Sequence, residues 1–259
     1  MRATVIQGIV LAVVMLFNLA ASSASAGEKI TVAAAADLKF ALEEIVVLFN
    51  ETHPADKVET VYGSSGKFHT QIRQGAPYDL YFSADIAYPR ALAAEGLAAS
   101  AVQAYGVGRI VLWRPLSDTA KMTLSDLDDP AIRKIAIANP KHAPYGKRAE
   151  EALRSAGLWN KVEHKLVYGE NVAQTAQFVQ TGNAQAGIIA LSLALSPELS
   201  KQGSYALIPE NLHQPLEQGF IITRRAANNP LALAFTRFVM SREARAIMER
   251  YGFALPGSK

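Results

Sequence analysis

The sequence predicts an α/β fold of two lobes, each a mostly parallel sheet flanked by helices. Three observations predict it: strands alternate with amphipathic helices, the alternation breaks and resumes near the middle, and half of the 259 residues are apolar. Alternating strands and helices favour parallel strands covered on both faces. A chain of this length is large enough for two separate cores. We therefore expect two sheets joined by a hinge of two crossing segments.

The first lobe begins with a short apolar strand that leads directly into a helix. Residues 29–33 have the composition of a buried strand, and apolar residues then recur at helical spacing over 38–50. The same order of strand and helix returns twice. The pattern predicts strands at 57–62 and 80–83, and helices at 68–74 and 89–95.

A second series of strands and helices follows, and the chain then returns to the first lobe. The pattern predicts strands at 109–113, 134–138, 165–168, 186–190 and 218–223, and helices at 145–155, 172–180, 232–239 and 244–250. We place the two crossings near 107–110 and 217–221. The expected organisation is a signal peptide at 1–26, lobe I at 27–107 and 220–259, and lobe II at 108–219.

The first 26 residues have the three parts of a secretory signal. Arg2 precedes an apolar run over 5–20, and a tract of small residues ends in Ala24-Ser25-Ala26. The alternative is a membrane anchor, but a span needs roughly 20 apolar residues and this run is shorter. We therefore predict a cleaved signal peptide and a mature protein in a bacterial periplasm.

The composition excludes several classes of site and partner. The chain has no cysteine, which excludes disulfides, thiolate metal sites, a cysteine nucleophile and a lipidated N-terminal cysteine. The formal charge is +3, and no block of like charge occurs along the mature chain. A nucleic-acid binder needs a basic stripe, so we expect no nucleic-acid partner.

Four short segments place small or amide residues at predicted helix starts. They are 34–37, 63–66, 143–146 and 170–172. A helix N-terminus presents unpaired N–H groups and a partial positive charge, which suit an anion. Ligands of α/β sheets bind beyond the carboxyl ends of the strands, where these segments lie. Two segments belong to each lobe, which predicts an anion site in a cleft that closes around its ligand.

Each segment also has a purely structural interpretation. Ser64 or Ser65 is a suitable helix cap, and a loop tyrosine such as Tyr145 is often an amphipathic surface residue. Asn171 is a good N-cap and leaves the Val172 amide for a ligand. Only the coincidence of four such segments favours the anion site. The nearby cations Lys39, Lys67, Lys147 and Arg148 belong either to solvated helix faces or to a field that steers anions.

The chain resembles the periplasmic molybdate-binding proteins of ABC transporters, which have a two-lobed periplasmic-binding-protein-like fold of type II. The resemblance covers nearly all of the mature chain, with several separate matches in the same order. They are Ile30-Thr31-Val32-Ala33-Ala34-Ala35, Gly63-Ser64-Ser65-Gly66, Gly75-Ala76-Pro77-Tyr78-Asp79-Leu80, Phe82-Ser83-Ala84-Asp85, Asn139-Pro140, Ala143-Pro144-Tyr145-Gly146 and Tyr251-Gly252-Phe253.

The resemblance implies that hydroxyls and main-chain N–H groups hold the oxygens of a tetrahedral oxyanion, without a direct ligand to its metal atom. Some members of the family use a tyrosine after a Gly-Ile pair on a later strand. That position is Ala190 in this chain, so Tyr145 is expected to supply the phenol. Carried onto this sequence, the binding residues are Ala36, Asp37, Ser64, Ser65, Tyr145, Asn171 and Val172.

Asp37 departs from the family, which commonly has Ser, Thr or Asn at this position. An ionised carboxylate about 4 Å from a dianion costs roughly 8 kcal/mol at an effective dielectric constant near 20. Two arrangements avoid this cost. Either the Asp37 carboxylate turns away to cap its own helix, or it accepts a proton carried by the oxyanion. We favour the cap, because Asp is among the best N-cap residues.

The motifs of common enzyme classes do not occur in this sequence. There is no Gly-x-Ser-x-Gly elbow, no His-Glu-x-x-His, and no phosphate loop with a four-residue spacing between glycines. Ser65 and His69 share one helix face, as a nucleophile and a base would, but no third group is identified that orients His69. His142, beside Pro144, is a candidate to line the cleft.

The sequence and the resemblance together imply a monomeric receptor rather than an enzyme. It captures molybdate or tungstate between its lobes, uses no cofactor, and delivers the anion to an ABC permease at the inner membrane. Selectivity over sulfate and phosphate follows from cavity size, and neutral donors disfavour an oxyanion that keeps a proton. Two alternatives stay open: a binding protein for another tetrahedral oxyanion of the phosphate, sulfate or chromate type, and a secreted hydrolase.

Overall fold

The computed structural model describes residues 27–115 and 122–256. The predicted signal peptide lies outside the described residues. The chain forms two five-stranded sheets, each with helices packed on it. The prediction of a two-lobed α/β fold is confirmed. No helix of the described residues is long and apolar enough to cross a membrane.

The first sheet contains strands from both ends of the described chain. Its strands, in the spatial order β2-β1-β3-β10-β4, are Lys57–Gly63, Lys29–Ala35, Leu80–Ser83, Leu216–Ile222 and Gln103–Gly108. Strand β1 pairs in parallel with β2 and β3, whereas β10 is antiparallel to both of its neighbours. The late strand β10 therefore completes the sheet that β1 began.

The second sheet repeats this topology with one antiparallel strand, β5. Its strands, in the spatial order β7-β6-β8-β5-β9, are Leu166–Gly169, Ile135–Ala138, Ala186–Ala190, Ile110–Pro115 and Gly203–Leu207. Both sheets are thus mixed, with parallel strands on one side and antiparallel pairs on the other.

Most helices begin within three residues of their predicted starts. The helices of the first lobe are α1 Lys39–Thr52, α2 Ser65–Arg73, α3 Ala87–Ala94, α9 Pro230–Val239 and α10 Arg242–Arg250. Those of the second are α4 Pro144–Ser155, α5 Trp159–Val162, α6 Val172–Gln180, α7 Leu191–Ala194 and α8 Leu199–Gln202. Short 3-10 turns occur at Ala36–Leu38, Leu124–Asp128, Glu163–Lys165, Glu210–Leu212 and Arg224–Ala226.

Two connections join the sheets. Arg109 alone separates β4 from β5, and residues 208–215 lead from β9 to β10. The Arg109 guanidinium lies 2.8 Å from Glu210 and so links the two connections. The chain therefore crosses between the sheets twice, at neighbouring positions. The exact limits of the two lobes stay a prediction.

Each sheet has its own large apolar core. Ile30, Phe49 and Phe235 belong to the first core, and Trp113 and Leu153 belong to the second. Ala35, Ala36 and Ala84 of the first lobe pack with the second core instead. Small side chains at the ends of β1 and β3 thus allow the two lobes to approach closely.

Candidate functional site

All four predicted helix starts are present in the structure. Helix α2 begins at Ser65, α4 at Pro144 and α6 at Val172, and the 3-10 turn from Ala36 continues into α1. Each follows a strand of its sheet, as the alternation of elements predicted. The four starts therefore lie beyond the carboxyl ends of β1, β2, β6 and β7.

The four helix starts converge on one small cavity between the lobes. Its wall includes every residue predicted for the site: Ala36, Asp37, Ser64, Ser65, Tyr145, Asn171 and Val172. The remaining wall is formed by Ala35, Gly63, Ala84, Ala143 and Pro144. The structure thus brings together residues from both lobes that are up to 137 positions apart, from Ala35 to Val172.

The helix starts supply neutral donors to this cavity. The first N–H groups of a helix have no acceptor within the helix. The Asn171 side chain caps α6 by accepting from the N–H groups of Ala173 and Gln174, which leaves that of Val172 for a ligand. This predicted cap is confirmed. The Ser65 hydroxyl accepts from the Ala84 N–H at 3.0 Å, so its proton is available to an anion.

Ser64 contacts the opposite lobe. Its hydroxyl donates a 2.6 Å hydrogen bond to the carbonyl oxygen of His142 and lies 2.9 Å from the His142 Nδ1 atom. The Gly66 N–H donates to the same carbonyl at 2.9 Å. A Cβ on Gly66 would lie 2.6 Å from that oxygen, so glycine permits this contact. Ser64, Gly66 and His142 therefore hold the lobes together at the edge of the cavity.

The Asp37 carboxylate does not cap its helix, so the favoured prediction is wrong. No side chain caps the 3-10 turn or α1. Instead, Asp37 Oδ2 accepts hydrogen bonds from the Tyr145 hydroxyl at 3.0 Å and from Gln218 Nε2 at 2.8 Å. Two donors from distant parts of the chain therefore satisfy this oxygen.

Asp37 is almost fully buried, and its other oxygen has no partner. Its exposed fraction is 1%, and Oδ1 makes no hydrogen bond to any described residue. Burial raises the pKa of Asp37 to about 6, against the hydrogen bonds from Gln218 and Tyr145, which lower it. Burial outweighs these bonds because an ionised carboxylate loses its hydration here and faces no cation.

Sequence reasoning missed Gln218, which forms hydrogen bonds with three polar side chains, two of which line the cavity. Its Nε2 donates to Asp37 and to the Tyr145 hydroxyl at 3.1 Å, and its Oε1 accepts from the Tyr105 hydroxyl at 2.6 Å. Gln218 is fully buried in β10. A glutamine two residues before the apolar run of residues 220–222 was the available signal, because buried polar groups require partners.

One hydroxyl group has a partner other than the one expected, and another was not anticipated. The Tyr145 phenol was expected to reach the anion, but it donates to Asp37, and its main-chain N–H is the group at the helix start. Ser192 in α7 was also missed. Its hydroxyl donates to the Asp37 carbonyl oxygen at 2.7 Å and forms a further contact between the lobes. Ala190 is fully buried.

Basic side chains lie around the cavity rather than in its wall. Lys67 forms an ion pair with Glu170 across the lobes, and both are substantially exposed. Arg148 is mostly buried, which excludes the solvated helix face as its role. Its guanidinium contacts Glu151 at 2.7 Å and Asp85 of the first lobe at 3.7 Å. These cations are bound to carboxylates, so the cavity itself relies on neutral donors.

The arrangement of Ser65 and His69 does not support a nucleophile and its base. The Ser65 oxygen is bonded to the Ala84 N–H, whereas the His69 ring packs against Tyr88 with centroids 5.2 Å apart. No hydrogen bond joins Ser65 to His69 among the described residues. Within residues 27–115 and 122–256, no group of three His, Cys, Asp or Glu side chains is placed to hold a metal ion.

Comparison with known proteins identifies the family. Residues 30–254 match the sequence model of the bacterial extracellular solute-binding proteins. The chain belongs to this family. Its relatives include the molybdate-binding proteins ModA of Rhodobacter capsulatus and Azotobacter vinelandii, each 35% identical. The alignment with the Rhodobacter protein covers 89% of this chain and 89% of that protein. The alignment with the Azotobacter protein covers 92% of this chain and 94% of that protein.

Solved structures of solute-binding proteins have the same architecture. The periplasmic molybdate-binding protein of Azotobacter vinelandii superimposes with a TM-score of 0.83 at 30% identity, covering 88% of this chain and 99% of that one. The resemblance inferred from the sequence motifs is therefore confirmed. Both relatives are named as molybdate-binding proteins.

Proposed function

We propose that this protein captures molybdate or tungstate in the cavity between its lobes and delivers the anion to an ABC permease. The single observation that carries the proposal is the convergence of four helix starts, two from each lobe, on one cavity. The names of the relatives, which are molybdate-binding proteins, support the choice of anion.

The proposed contacts are made to the oxygens of the anion. Main-chain N–H groups of Ala36, Asp37, Tyr145 and Val172 are available at the helix starts, and the Ser65 hydroxyl adds a side-chain donor. Preorganised neutral dipoles stabilise a dianion without the cost of burying a cation. The metal atom of the oxyanion needs no ligand from the protein, and the proposal includes no cofactor and no catalysis.

The contacts between the lobes suit a receptor that closes on its ligand. Ser64 binds His142, Ser192 binds the Asp37 carbonyl, and Tyr145 binds the Asp37 carboxylate. All three bonds join opposite lobes beside the cavity. Closure therefore covers the anion, and opening at the two connections between the sheets releases it.

The proposal places the mature protein in the periplasm as a monomer, from which the anion passes to a permease at the inner membrane. The periplasmic location is supported by the charged, apolar and small-residue parts of residues 1–26, which together resemble a secretory signal. Expression of the full chain in a bacterial host tests it. N-terminal sequencing of the periplasmic fraction should begin at Gly27, and a mature protein that retains Arg2 would contradict cleavage.

Calorimetric titration of the secreted protein tests the choice of anion. Molybdate, tungstate, chromate, sulfate and phosphate are compared under the same conditions. We expect strong binding of molybdate and tungstate and weak binding of sulfate and phosphate, because a smaller anion cannot reach every donor at once. Binding of sulfate or phosphate without binding of molybdate would instead assign the protein to another oxyanion.

A further inference from the structure

We propose that Asp37 determines which form of oxyanion the site accepts, by holding one proton whenever the anion is bound. Capture of a fully deprotonated dianion then takes up one proton from solution. This inference rests on the proposed function, since it concerns the same cavity. It assigns to Asp37 the role of a hydrogen-bond donor to the anion.

The two oxygens of the Asp37 carboxyl group differ in their hydrogen-bond partners. Oδ2 already accepts hydrogen bonds from Tyr145 and Gln218. Oδ1 is buried without a partner, and Asp37 forms part of the cavity wall beside Ser65. A proton on this carboxyl group therefore belongs on Oδ1, since Oδ2 is occupied by two donors. Protonated Oδ1 then donates to an anion oxygen, as the neighbouring N–H groups do.

Among the residues that the structure describes, no positive charge faces Asp37 to keep it ionised next to a dianion. The groups that face it are the neutral amide of Gln218 and the phenols of Tyr145 and Tyr105. Burial, and then the Asp37 charge, raise the pKa of both phenols well above 10, so they stay protonated. Lys39, two residues along the chain, makes no hydrogen bond or ion pair with Asp37.

The charge of the anion acts in the same direction as burial. Burial already raises the pKa of Asp37 to about 6, and a dianion beside it raises that pKa further. Around neutral pH the free carboxylate must therefore gain a proton when the dianion binds. The proton comes from water or buffer, forms an O–H bond on Oδ1 and leaves the charge of the anion unchanged.

The number of protons taken up from solution for each anion bound then differs between classes of ligand. A bare dianion such as molybdate requires one proton from solution for each anion bound. An oxyanion that carries its own proton donates it to the Asp37 carboxylate, and no proton is taken up. A Ser, Thr or Asn at this position would not titrate, so the requirement is specific to an aspartate.

Calorimetry with molybdate tests this inference on the full secreted protein. Titration near neutral pH in two buffers of different ionisation enthalpy gives the number of protons taken up. We expect about one proton per anion, and an affinity that falls roughly tenfold for each pH unit on the alkaline side. Asp37→Asn should still bind molybdate, with a proton count near zero and an affinity independent of pH.

The matched control is His164→Gln, because His164 is an exposed titratable side chain outside the cavity wall. It should leave the count near one. Asp37→Ser serves as a second variant should Asp37→Asn fold poorly. A count of zero in the unmodified protein, with molybdate bound, would overturn the inference and leave the proposed function standing. A count near one in Asp37→Asn would also overturn it. Absence of molybdate binding from about pH 5.5 to 8.5 would instead refute the proposed function.

Discussion

The Tyr145 hydroxyl donates a 3.0 Å hydrogen bond to Asp37 Oδ2 across the gap between the lobes. Tyr145 lies in the first turn of α4 in the second lobe, and Asp37 lies in the 3-10 turn after β1 in the first. Both residues are also part of the cavity wall. The bond therefore links the shape of the anion site directly to lobe closure.

Tyr145→Phe removes the hydroxyl and keeps the ring. Because the proposed bound state has a neutral Asp37 carboxyl group, the bond contributes about 0.5–1.5 kcal/mol to the closed form, and we expect molybdate affinity to fall roughly 2- to 12-fold. Calorimetry measures the change. Tyr168→Phe is the control, because Tyr168 lies in the same lobe with 46% of its surface exposed and should bind normally. Equal affinities for the two variants would argue against a role for the phenol in closure.

Gly108→Ala should displace the two side chains that donate hydrogen bonds to Asp37. A Cβ at this position would lie 2.3 Å from the Tyr145 hydroxyl and 2.5 Å from Gln218 Nε2. Both side chains must move, so we expect at least a tenfold loss of molybdate affinity, about 1.4 kcal/mol.

Gly106→Ala is the matched control in the same strand. There the nearest atoms lie 3.4 Å from the added Cβ, and affinity should change less than threefold. Similar losses in Gly106→Ala and Gly108→Ala would show that β4 tolerates no side chain at all, and would remove the support for a specific effect on Asp37.

Asn171→Ala separates helix capping from anion binding. Loss of an N-cap lowers the free energy of unfolding by about 1 kcal/mol. The control is Asn229→Ala, which removes the cap of α9 away from the cavity and should lower that free energy by the same amount. Only Asn171→Ala should also weaken molybdate binding, because Asn171 lies in the cavity wall and positions the Val172 N–H. Denaturant unfolding and calorimetry on both variants provide the test. Weaker binding in Asn229→Ala would indicate a general effect of stability.

Asp37→Asn should stabilise the anion-free closed protein at neutral pH. Burial raises the pKa of Asp37 from 3.8 to about 6 in the folded protein. The folded state therefore binds this proton more tightly than the unfolded chain does, and wild-type stability falls as pH rises from about 4 to 6. Above that window the loss amounts to about 3 kcal/mol.

Asn keeps the shape of Asp and an acceptor for Tyr145 and Gln218, so the variant should gain up to this amount at about pH 7.5 and nothing near pH 4. Denaturant unfolding of both proteins at the two pH values measures the difference. A variant that is less stable than wild type at the higher pH would contradict the prediction.

The local parts of the site were predictable because a helix start depends on a few consecutive residues. Pro144 begins α4 and Asn171 caps α6, as the sequence indicated. Strands β4 and β9 were not predicted. Gln103–Gly108 contains two glycines, and Gly203–Leu207 is partly exposed, so neither has a strong apolar pattern. Their pairing with β10 and β5 makes them strands.

The sequence alone determined the alternation of strands and helices, the four helix starts and the family resemblance, since these reside in short stretches of chain. Only the tertiary structure decided the burial and the hydrogen-bond partners of Asp37. By itself, an aspartate at a helix start favours a cap, whereas Gln218 lies 181 residues away and Tyr145 lies 108 residues away. Burial and hydrogen bonding by distant groups outweigh the local preference, and neither can be found in the residues next to Asp37.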